Sequence, residues 1–121
     1  MTPGRTPLIA IGEAQRKVQA QGLTVCSPGP DGNQPFHFIT CDRDRICLVR
    51  VRRLKYHDYD VAAVEQSCRN DIAVIRALSF PQEICRELWV RGPDRAWHRY
   101  HVMPGSLVLL NGQEITMMNR P

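Results

Sequence analysis

The sequence predicts a single α/β domain in which helices flank a central mixed β-sheet. Two segments carry apolar residues at helical spacing, and short runs rich in β-branched and aromatic residues lie between and after them. One of these runs, ICLVRV, is apolar on both faces, as expected of a central strand covered from both sides. The chain has 121 residues, the length of one domain, so we expect residues 1–121 to form a single unit.

The first predicted element is a helix over residues 6–21. Thr6 can cap its start, Pro7 suits its first position and Gly22 follows its end. Glu13 lies almost opposite the apolar stripe of this helix, and we therefore expect its side chain to be solvated. Helical spacing assigns the stripe to Leu8, Ile11, Ala14 and Val18, with Gln15 at its edge.

The next segment is predicted to be a short strand over residues 23–26, a loop over 27–35 and a hairpin over 36–52. We expect Cys41 to pair with Ile46 across the hairpin, because the polar residues between them suit a tight turn. The alternation of a strand then places on one face His37, Ile39, Cys41, Ile46, Leu48, Arg50 and Arg52. The opposite face carries Phe36, Phe38, Cys47, Val49 and Val51.

The second half of the chain begins with a predicted helix over residues 61–78, for which Asp60 is the expected N-cap. Two further strands, over 84–91 and 96–102, are separated by turn-forming residues. The tail from Pro104 could add a short strand or one helical turn. The apolar stripe of the helix consists of Val61, Val64, Cys68, Ile72 or Asp71, Ile75 and Leu78.

Composition favours an anionic partner without requiring one. The formal net charge is +4, and 14 of the 16 basic residues are arginine, whose planar guanidinium group suits phosphate. Arginine-favouring codon usage is an equally good explanation. No apolar run has the roughly 18 residues of a membrane span, and the N-terminus lacks the apolar stretch of a signal peptide. We therefore expect a cytoplasmic protein without membrane contact.

The five cysteines, at positions 26, 41, 47, 68 and 85, have neither the even number nor the close spacing of a disulfide framework or a structural zinc site. Each has apolar neighbours in the sequence. We expect all five to be small buried residues with free thiols.

Four segments follow, in order and spacing, a pattern found in nucleases: IGEAQRKVQAQGLTV, HFITCDRDRICLVRVRR, DVAAVEQSCRNDIAVIRAL and ELWVRGPDRAWHRYHV. A helix ends in a glycine before a strand, a hairpin and a long helix follow, and a strand pair contains a tryptophan. Over residues 7–104 the chain resembles the PD-(D/E)XK nuclease superfamily, and within it the archaeal Holliday-junction resolvases. The resemblance implies a restriction-endonuclease-like fold, a nucleic-acid partner and association as a homodimer.

The same resemblance locates the catalytic positions of these nucleases, and none of them holds a carboxylate here. The hairpin aspartate falls on His37, the following glutamate on Arg50 and the lysine on Arg52. The helix glutamate falls on Ile11. Because magnesium needs oxygen ligands, arginines at its site would repel it. We therefore expect no catalytic residues, no metal site and no cofactor, and a chain that is not an enzyme.

These substitutions predict a non-catalytic, nuclease-like module that binds structured DNA or RNA through the basic end of its sheet. Arginine and lysine side chains would replace cation-mediated contacts to phosphate with charge-assisted hydrogen bonds. The residues expected to make these contacts are His37, Arg50, Arg52, Arg53 and Lys55. A second basic and aromatic set alternates on the last predicted strand, although a tryptophan there is more often core: Arg95, Trp97, Arg99 and His101.

Two alternatives remain open. A metal-dependent nuclease could use relocated carboxylates, for which Glu65, Asp42 and Asp44 are the candidates. A protein interaction or dimerisation subunit would make no contact with nucleic acid. In that case acidic residues of the second helix, such as Glu65, would cover Arg50 and Arg52 in the folded state.

Overall fold

The computed structural model describes residues 7–26, 36–41, 45–78, 81 and 84–110. Six strands form one mixed sheet with helices packed against both faces, which confirms the predicted α/β class. In chain order the elements are α1 (Leu8–Ala20), β1 (Thr24–Cys26), β2 (Phe38–Cys41), β3 (Ile46–Arg53), α2 (Val61–Ser67), α3 (Arg69–Arg76), β4 (Cys85–Arg91), β5 (Trp97–Val102) and β6 (Leu107–Leu109).

The strands lie side by side in their chain order, from β1 at one edge to β6 at the other. Neighbouring strands are antiparallel except β3 and β4, which are parallel and are joined by the crossover through α2 and α3. The predicted hairpin register is confirmed, since Cys41 faces Ile46 and Ile39 faces Leu48. The sheet therefore has β3 and β4 at its centre, each with a strand on both sides.

Helix α1 covers one face of the sheet through a line of small residues. Ala10, Ala14 and Val18 are fully buried there, and the short alanine side chains let the helix lie close to the strands. Beneath them the rings of Phe38 and Trp89 meet edge to face, with centroids 5.6 Å apart. The buried stripe of α1 differs from the predicted one, because it includes Ala10 and excludes Leu8, which is exposed at the start of the helix.

Helices α2 and α3 cover the opposite face. Three buried residues of these helices and Cys68 between them pack against the sheet, the helical residues being Val64, Ile72 and Ile75. The strands contribute Leu48, Leu88, Val90, Tyr100 and Val102 to this second apolar cluster. Burial on both faces explains the continuous apolar run of β3 that the sequence displays.

The single helix predicted over residues 61–78 is instead two helices with a break at Cys68, whose backbone angles are φ −111° and ψ 27°. The hydroxyl of Ser67 donates to the carbonyl oxygen of Ala63 at 2.9 Å, a contact that bends helices. Beyond the break, both Asp71 and Ile72 are buried. Asp60 occupies the expected N-cap position but makes no side-chain capping bond.

Three smaller expectations about the chain are also corrected. Pro7 is the N-cap of α1 and not its first helical residue, and Thr6 lies outside the described residues. Glu13 is only partly solvated, because its side chain is 33% exposed and its carboxylate pairs with the guanidinium group of Arg91 at 3.2 Å. The prediction of five buried cysteines is wrong for Cys26, which lies exposed on the edge strand β1, and Cys41 is only half-buried.

Two further findings concern the tail and the helices. The tail forms the short strand β6, one of its two predicted forms. No helix in the described ranges is long and apolar enough to cross a membrane.

Candidate functional site

The basic end of β3 holds an ion-pair network rather than an open cluster of cations. The Nε atom of Arg50 lies 2.7 Å from Oδ1 of Asp71, and the Nη1 atom of Arg52 contacts Oδ2 of the same carboxylate. Asp71 reaches the strand because α3 packs across this face of the sheet. Two guanidinium groups thus share the carboxylate of Asp71.

Burial differs among the three members of this network. The side chain of Asp71 is 8% exposed and that of Arg50 is 19% exposed, whereas Arg52 retains 40%. Arg50 is therefore held inside the network, and Arg52 still presents its side chain to solvent. The sequence-based alternative of acidic cover from the second helix is realised by Asp71, while Glu65 is exposed on α2.

The relocated carboxylate site is not assembled by the residues that the structure describes. Glu65 lies exposed on α2. The other two candidates, Asp42 and Asp44, lie outside the described residues.

His37 closes the end of the β2–β3 ladder. Its backbone N–H donates to the carbonyl oxygen of Val49 at 2.8 Å, and its Nδ1 atom accepts a hydrogen bond from the backbone N–H of Val51 at 2.8 Å. Burial, followed by the charge of Arg50, lowers the pKa of the His37 imidazole to about 4. The ring is therefore neutral at pH 7 and contributes no positive charge to this end of the sheet.

The lowered pKa of His37 makes stability depend on pH. The unfolded chain takes up this proton near pH 6.5 and the folded chain near pH 4, so the unfolded state binds more protons in between. We expect His37 to reduce the free energy of unfolding by about 2 kcal/mol as pH falls through this window, after discounting for its partial exposure.

Chemical denaturation of the wild type and His37→Asn at several pH values measures this contribution. Asparagine keeps an acceptor for the Val51 N–H but does not titrate. The variant should therefore show a shallower loss of stability between pH 6.5 and pH 4. Equal slopes for the two proteins would contradict the assignment.

Arg53 and Lys55 complete the predicted basic set, and both side chains are exposed. Within the described part of the chain neither has an ion-pair partner. Strand alternation puts Arg53 on the face opposite Arg52, so the two arginines flank the end of the strand. The following loop carries the exposed residues Asp58 and Asp60, so the run of basic residues in the sequence ends at Lys55.

A second polar cluster, unconnected with the predicted site, lies in the core beneath α1. Its centre is Glu87 on β4, which is only 2% exposed. The Oε1 atom of Glu87 accepts hydrogen bonds from Trp89 Nε1 at 2.7 Å and from Arg99 Nε at 3.2 Å and Nη2 at 3.1 Å. The guanidinium group of Arg99 also lies over the Trp89 ring, 5.2 Å from its centroid.

Two thiols lie on the other side of the same carboxylate. The Sγ atom of Cys47 is 3.4 Å, and that of Cys85 is 3.6 Å, from Oε2 of Glu87. The two sulfur atoms are 2.8 Å apart, and Cys85 Sγ is 3.6 Å from Nε2 of His101. These residues come from three adjacent strands, β3, β4 and β5, and form what we call the thiol cluster: Cys47, Cys85, Glu87 and His101.

The environment distinguishes the two thiols electrostatically. Burial and the hydrogen bond to Cys85 raise the pKa of the Cys47 thiol. The hydrogen bond from Cys47 and that with His101 lower the pKa of the Cys85 thiol to about 6. The hydrogen bond with Cys85 raises the pKa of the His101 imidazole, so Cys85 is the more acidic thiol and His101 its hydrogen-bond partner.

We compared the cluster with a zinc site, because donor atoms of Cys47, Cys85 and Glu87 all lie within 4.8 Å of one another. Two thiolates bound to one tetrahedral zinc ion would be about 3.8 Å apart, given a Zn–S bond of about 2.3 Å. The observed sulfur separation of 2.8 Å is much shorter. We therefore assign no metal to the cluster.

The last predicted strand is divided between core and surface. Arg99 does not belong to an exposed basic surface, since its side chain is 6% exposed and paired with Glu87. Trp97 is half-buried and packs against Trp89, with ring centroids 6.1 Å apart. Arg95 lies exposed in the β4–β5 turn. The basic and aromatic residues alternate along the strand as predicted, but Arg99 pairs with the buried carboxylate of Glu87 and is not available at the surface.

Sequence reasoning missed Asp71 as a partner and Glu87 altogether. The only sequence signal for Asp71 is the helical spacing, which allows either Asp71 or Ile72 to occupy the same position of the apolar stripe. The signal for Glu87 is clearer, because it is an acid in the run ICRELWV and shares strand parity with Cys85 and Trp89. An acid inside such a run calls for a buried cation, which Arg99 supplies.

No protein-family model, curated protein or solved structure matches the chain. Functional inference therefore depends on the geometry of the chain itself.

Proposed function

We propose that the chain is a non-catalytic nucleic-acid-binding domain with a restriction-endonuclease-like fold. The observation that carries the proposal is the group of basic side chains at the carboxyl end of β3. There, Arg50 and Arg52 share the single carboxylate of Asp71, and exposed Arg53 and Lys55 follow immediately. Phosphate is the ligand that such a group of guanidinium and ammonium groups suits best.

The fold assignment draws support from element order. A helix, a strand and a hairpin precede a helical crossover and a final strand pair that contains Trp97, as the nuclease resemblance implies. The parallel pairing of β3 with β4 accommodates that crossover in one sheet. The absence of carboxylates at positions 11, 37 and 50 supports a binding role without hydrolysis.

The contact set is narrower than the sequence suggested. His37 carries no charge at pH 7, and Arg50 is mostly enclosed by its pairing with Asp71. The proposed phosphate contacts are therefore Arg52, Arg53 and Lys55. Arg50 contributes indirectly. It pairs with Asp71, and this weakens the neutralisation of Arg52 by the same carboxylate.

Fluorescence anisotropy over a series of salt concentrations tests this contact set. Each lost phosphate contact should reduce the slope of log affinity against log salt by about one unit. We therefore expect Arg53→Ala with Lys55→Ala to flatten the slope by about two units. Suitable probes are a four-way junction, a duplex and a single strand of DNA.

A matched control removes the same charge elsewhere. Arg16 and Lys17 are an exposed basic pair on α1, so the variant with both replaced by alanine should keep the wild-type slope. Equal flattening in the two double variants would mean that net charge alone drives binding. That result would refute the assigned interface.

A protein interaction or dimerisation subunit is the second candidate. The pairing of Asp71 with both Arg50 and Arg52 favours it, because the network would serve a structural role even without a ligand. Exposed Leu8 and Ile9 at the start of α1 offer an apolar contact. Analytical ultracentrifugation would support this candidate if the chain were a dimer and failed to bind any nucleic-acid probe.

A further inference from the structure

We propose that Cys47 and Cys85 form a reversible disulfide, with Cys85 as the thiol that an incoming oxidant meets first. The proposal concerns the core beneath α1 and is independent of the nucleic-acid interface at the end of β3. It assigns a redox modification site to the thiol cluster, with a hydroperoxide as the class of oxidant.

Strand pairing brings the two residues into disulfide range. Cys47 and Cys85 are direct partners in the parallel pairing of β3 with β4. Adjacent strands lie about 4.8 Å apart, and disulfides join residues whose Cα atoms are about 4.4–6.8 Å apart. The sulfur atoms already lie 2.8 Å from each other, so bond formation needs only a small movement of two side chains.

Both thiols are buried, with Cys47 4% and Cys85 5% exposed, and the lining of a neighbouring cavity distinguishes them. Cys85 lines a cavity of about 130 Å³ that is also bordered by Arg45, His101, Met103 and Pro104. Met103 and Pro104 at its rim are exposed, so the cavity reaches the surface beside the acidic thiol. Cys47 does not line this cavity but lies in contact with Cys85, so we assign Cys85 as the attacking thiol and Cys47 as the resolving thiol.

The chemistry balances with one hydroperoxide per pair of thiols. The Cys85 thiol gives its proton to Nε2 of His101, 3.6 Å away, and the resulting thiolate attacks the terminal oxygen of the hydroperoxide. An S–O bond forms, the O–O bond breaks, and the leaving alkoxide takes the proton back from His101 to become an alcohol. The Cys47 thiol then attacks the Cys85 sulfur. The S–S bond forms, the S–O bond breaks, and the departing hydroxide leaves as water with the proton of Cys47. Two thiols are oxidised by two electrons, and the peroxide is reduced to an alcohol and water.

The surroundings also make the bond easy to reduce. In the dithiol form both sulfur atoms are oriented toward Oε2 of Glu87, while Trp89 and Arg99 hold Oε1. Oxidation removes the S–H donor of Cys47 from a carboxylate that is 2% exposed. Because the reduced form keeps contacts that the disulfide loses, the pair should act as a reversible switch and not as a permanent crosslink.

Alkylation of the denatured protein before and after exposure to hydrogen peroxide tests the proposal. The untreated wild type should take up five alkyl groups and the oxidised protein three, with the Cys47 and Cys85 peptides linked. Dithiothreitol should restore all five. This measurement needs no variant, so it does not depend on whether a core substitution folds.

Two variants locate the chemistry. Cys85→Ser should retain four alkylated thiols after peroxide, whereas Cys68→Ser, which removes a buried thiol on the other sheet face, should still lose two. His101→Gln should slow disulfide formation by roughly tenfold at neutral pH and shift its pH profile upward, because the Cys85 thiol loses the imidazole contact that lowers its pKa.

Several results would overturn the proposal. They are full alkylation after peroxide, linkage of any other pair of cysteines, and oxidation of Cys85 to sulfinic acid without a bond to Cys47. A zinc ion bound to the isolated protein through both thiols would also overturn it, because the metal would hold the sulfur atoms apart.

Discussion

Replacing Glu87 by alanine should lower the free energy of unfolding by about 3–5 kcal/mol, the usual cost of removing one partner from a buried ion pair. The variant leaves the guanidinium group of Arg99, 6% exposed, without its carboxylate. It also removes the acceptor of the Trp89 indole N–H. The destabilisation comes mainly from the buried guanidinium group of Arg99, which loses its carboxylate partner, and not from the lost side-chain volume of Glu87.

Urea denaturation of wild type, Glu87→Ala and Glu65→Ala measures the effect. Glu65 is exposed on α2, and its replacement by alanine removes the same charge as Glu87→Ala. The Glu65→Ala variant should therefore stay within about 0.5 kcal/mol of wild type. Replacing both Glu87 and Arg99 by leucine should recover most of the loss, because no buried charge remains unpaired. A Glu87→Ala protein within about 1 kcal/mol of wild type would contradict the described network.

Replacing Asp71 by asparagine should have two opposite effects. Stability should fall by about 2–3 kcal/mol, less than for a fully buried pair because Arg52 is 40% exposed. Nucleic-acid affinity should rise, because Arg50 and Arg52 are released from their shared carboxylate. At low salt we expect tighter binding by about tenfold and a steeper salt dependence by about one unit.

Paired measurements on the same Asp71→Asn sample separate the two candidate functions. Denaturation gives the stability change, and fluorescence anisotropy with a four-way junction gives the affinity change. Circular dichroism must first show that the Asp71→Asn variant is folded, and its binding can then be compared with that of the wild type. Lower stability with unchanged or weaker binding would assign the Asp71 network a purely structural role.

The hairpin and the two-sided sheet could be predicted because their signals are local. Apolar alternation and a four-residue polar tip between Cys41 and Ile46 determine the hairpin register that the structure contains. The apolar run of β3 indicates burial on both faces. The break at Cys68 could not be predicted in this way, because apolar spacing continues across it.

Only part of the candidate site could be predicted, because its strand residues follow a local pattern and their partner comes from a helix distant in the sequence. Strand parity placed Arg50 and Arg52 together on one face, but the partner that decides their availability comes from α3. The sequence favoured Glu65 for that role, and the packing of α3 brings Asp71 to the strand instead. The thiol cluster needs the parallel pairing of β3 with β4, since Cys47 and Cys85 are far apart in the chain.

The most direct test of nucleic-acid binding is fluorescence anisotropy of the folded wild type with labelled four-way junction, duplex and single-stranded DNA at low salt. The account predicts saturable binding to at least one probe, little dependence on base sequence and a steep decrease in affinity as salt rises. Absence of binding to all three probes would contradict the proposed function.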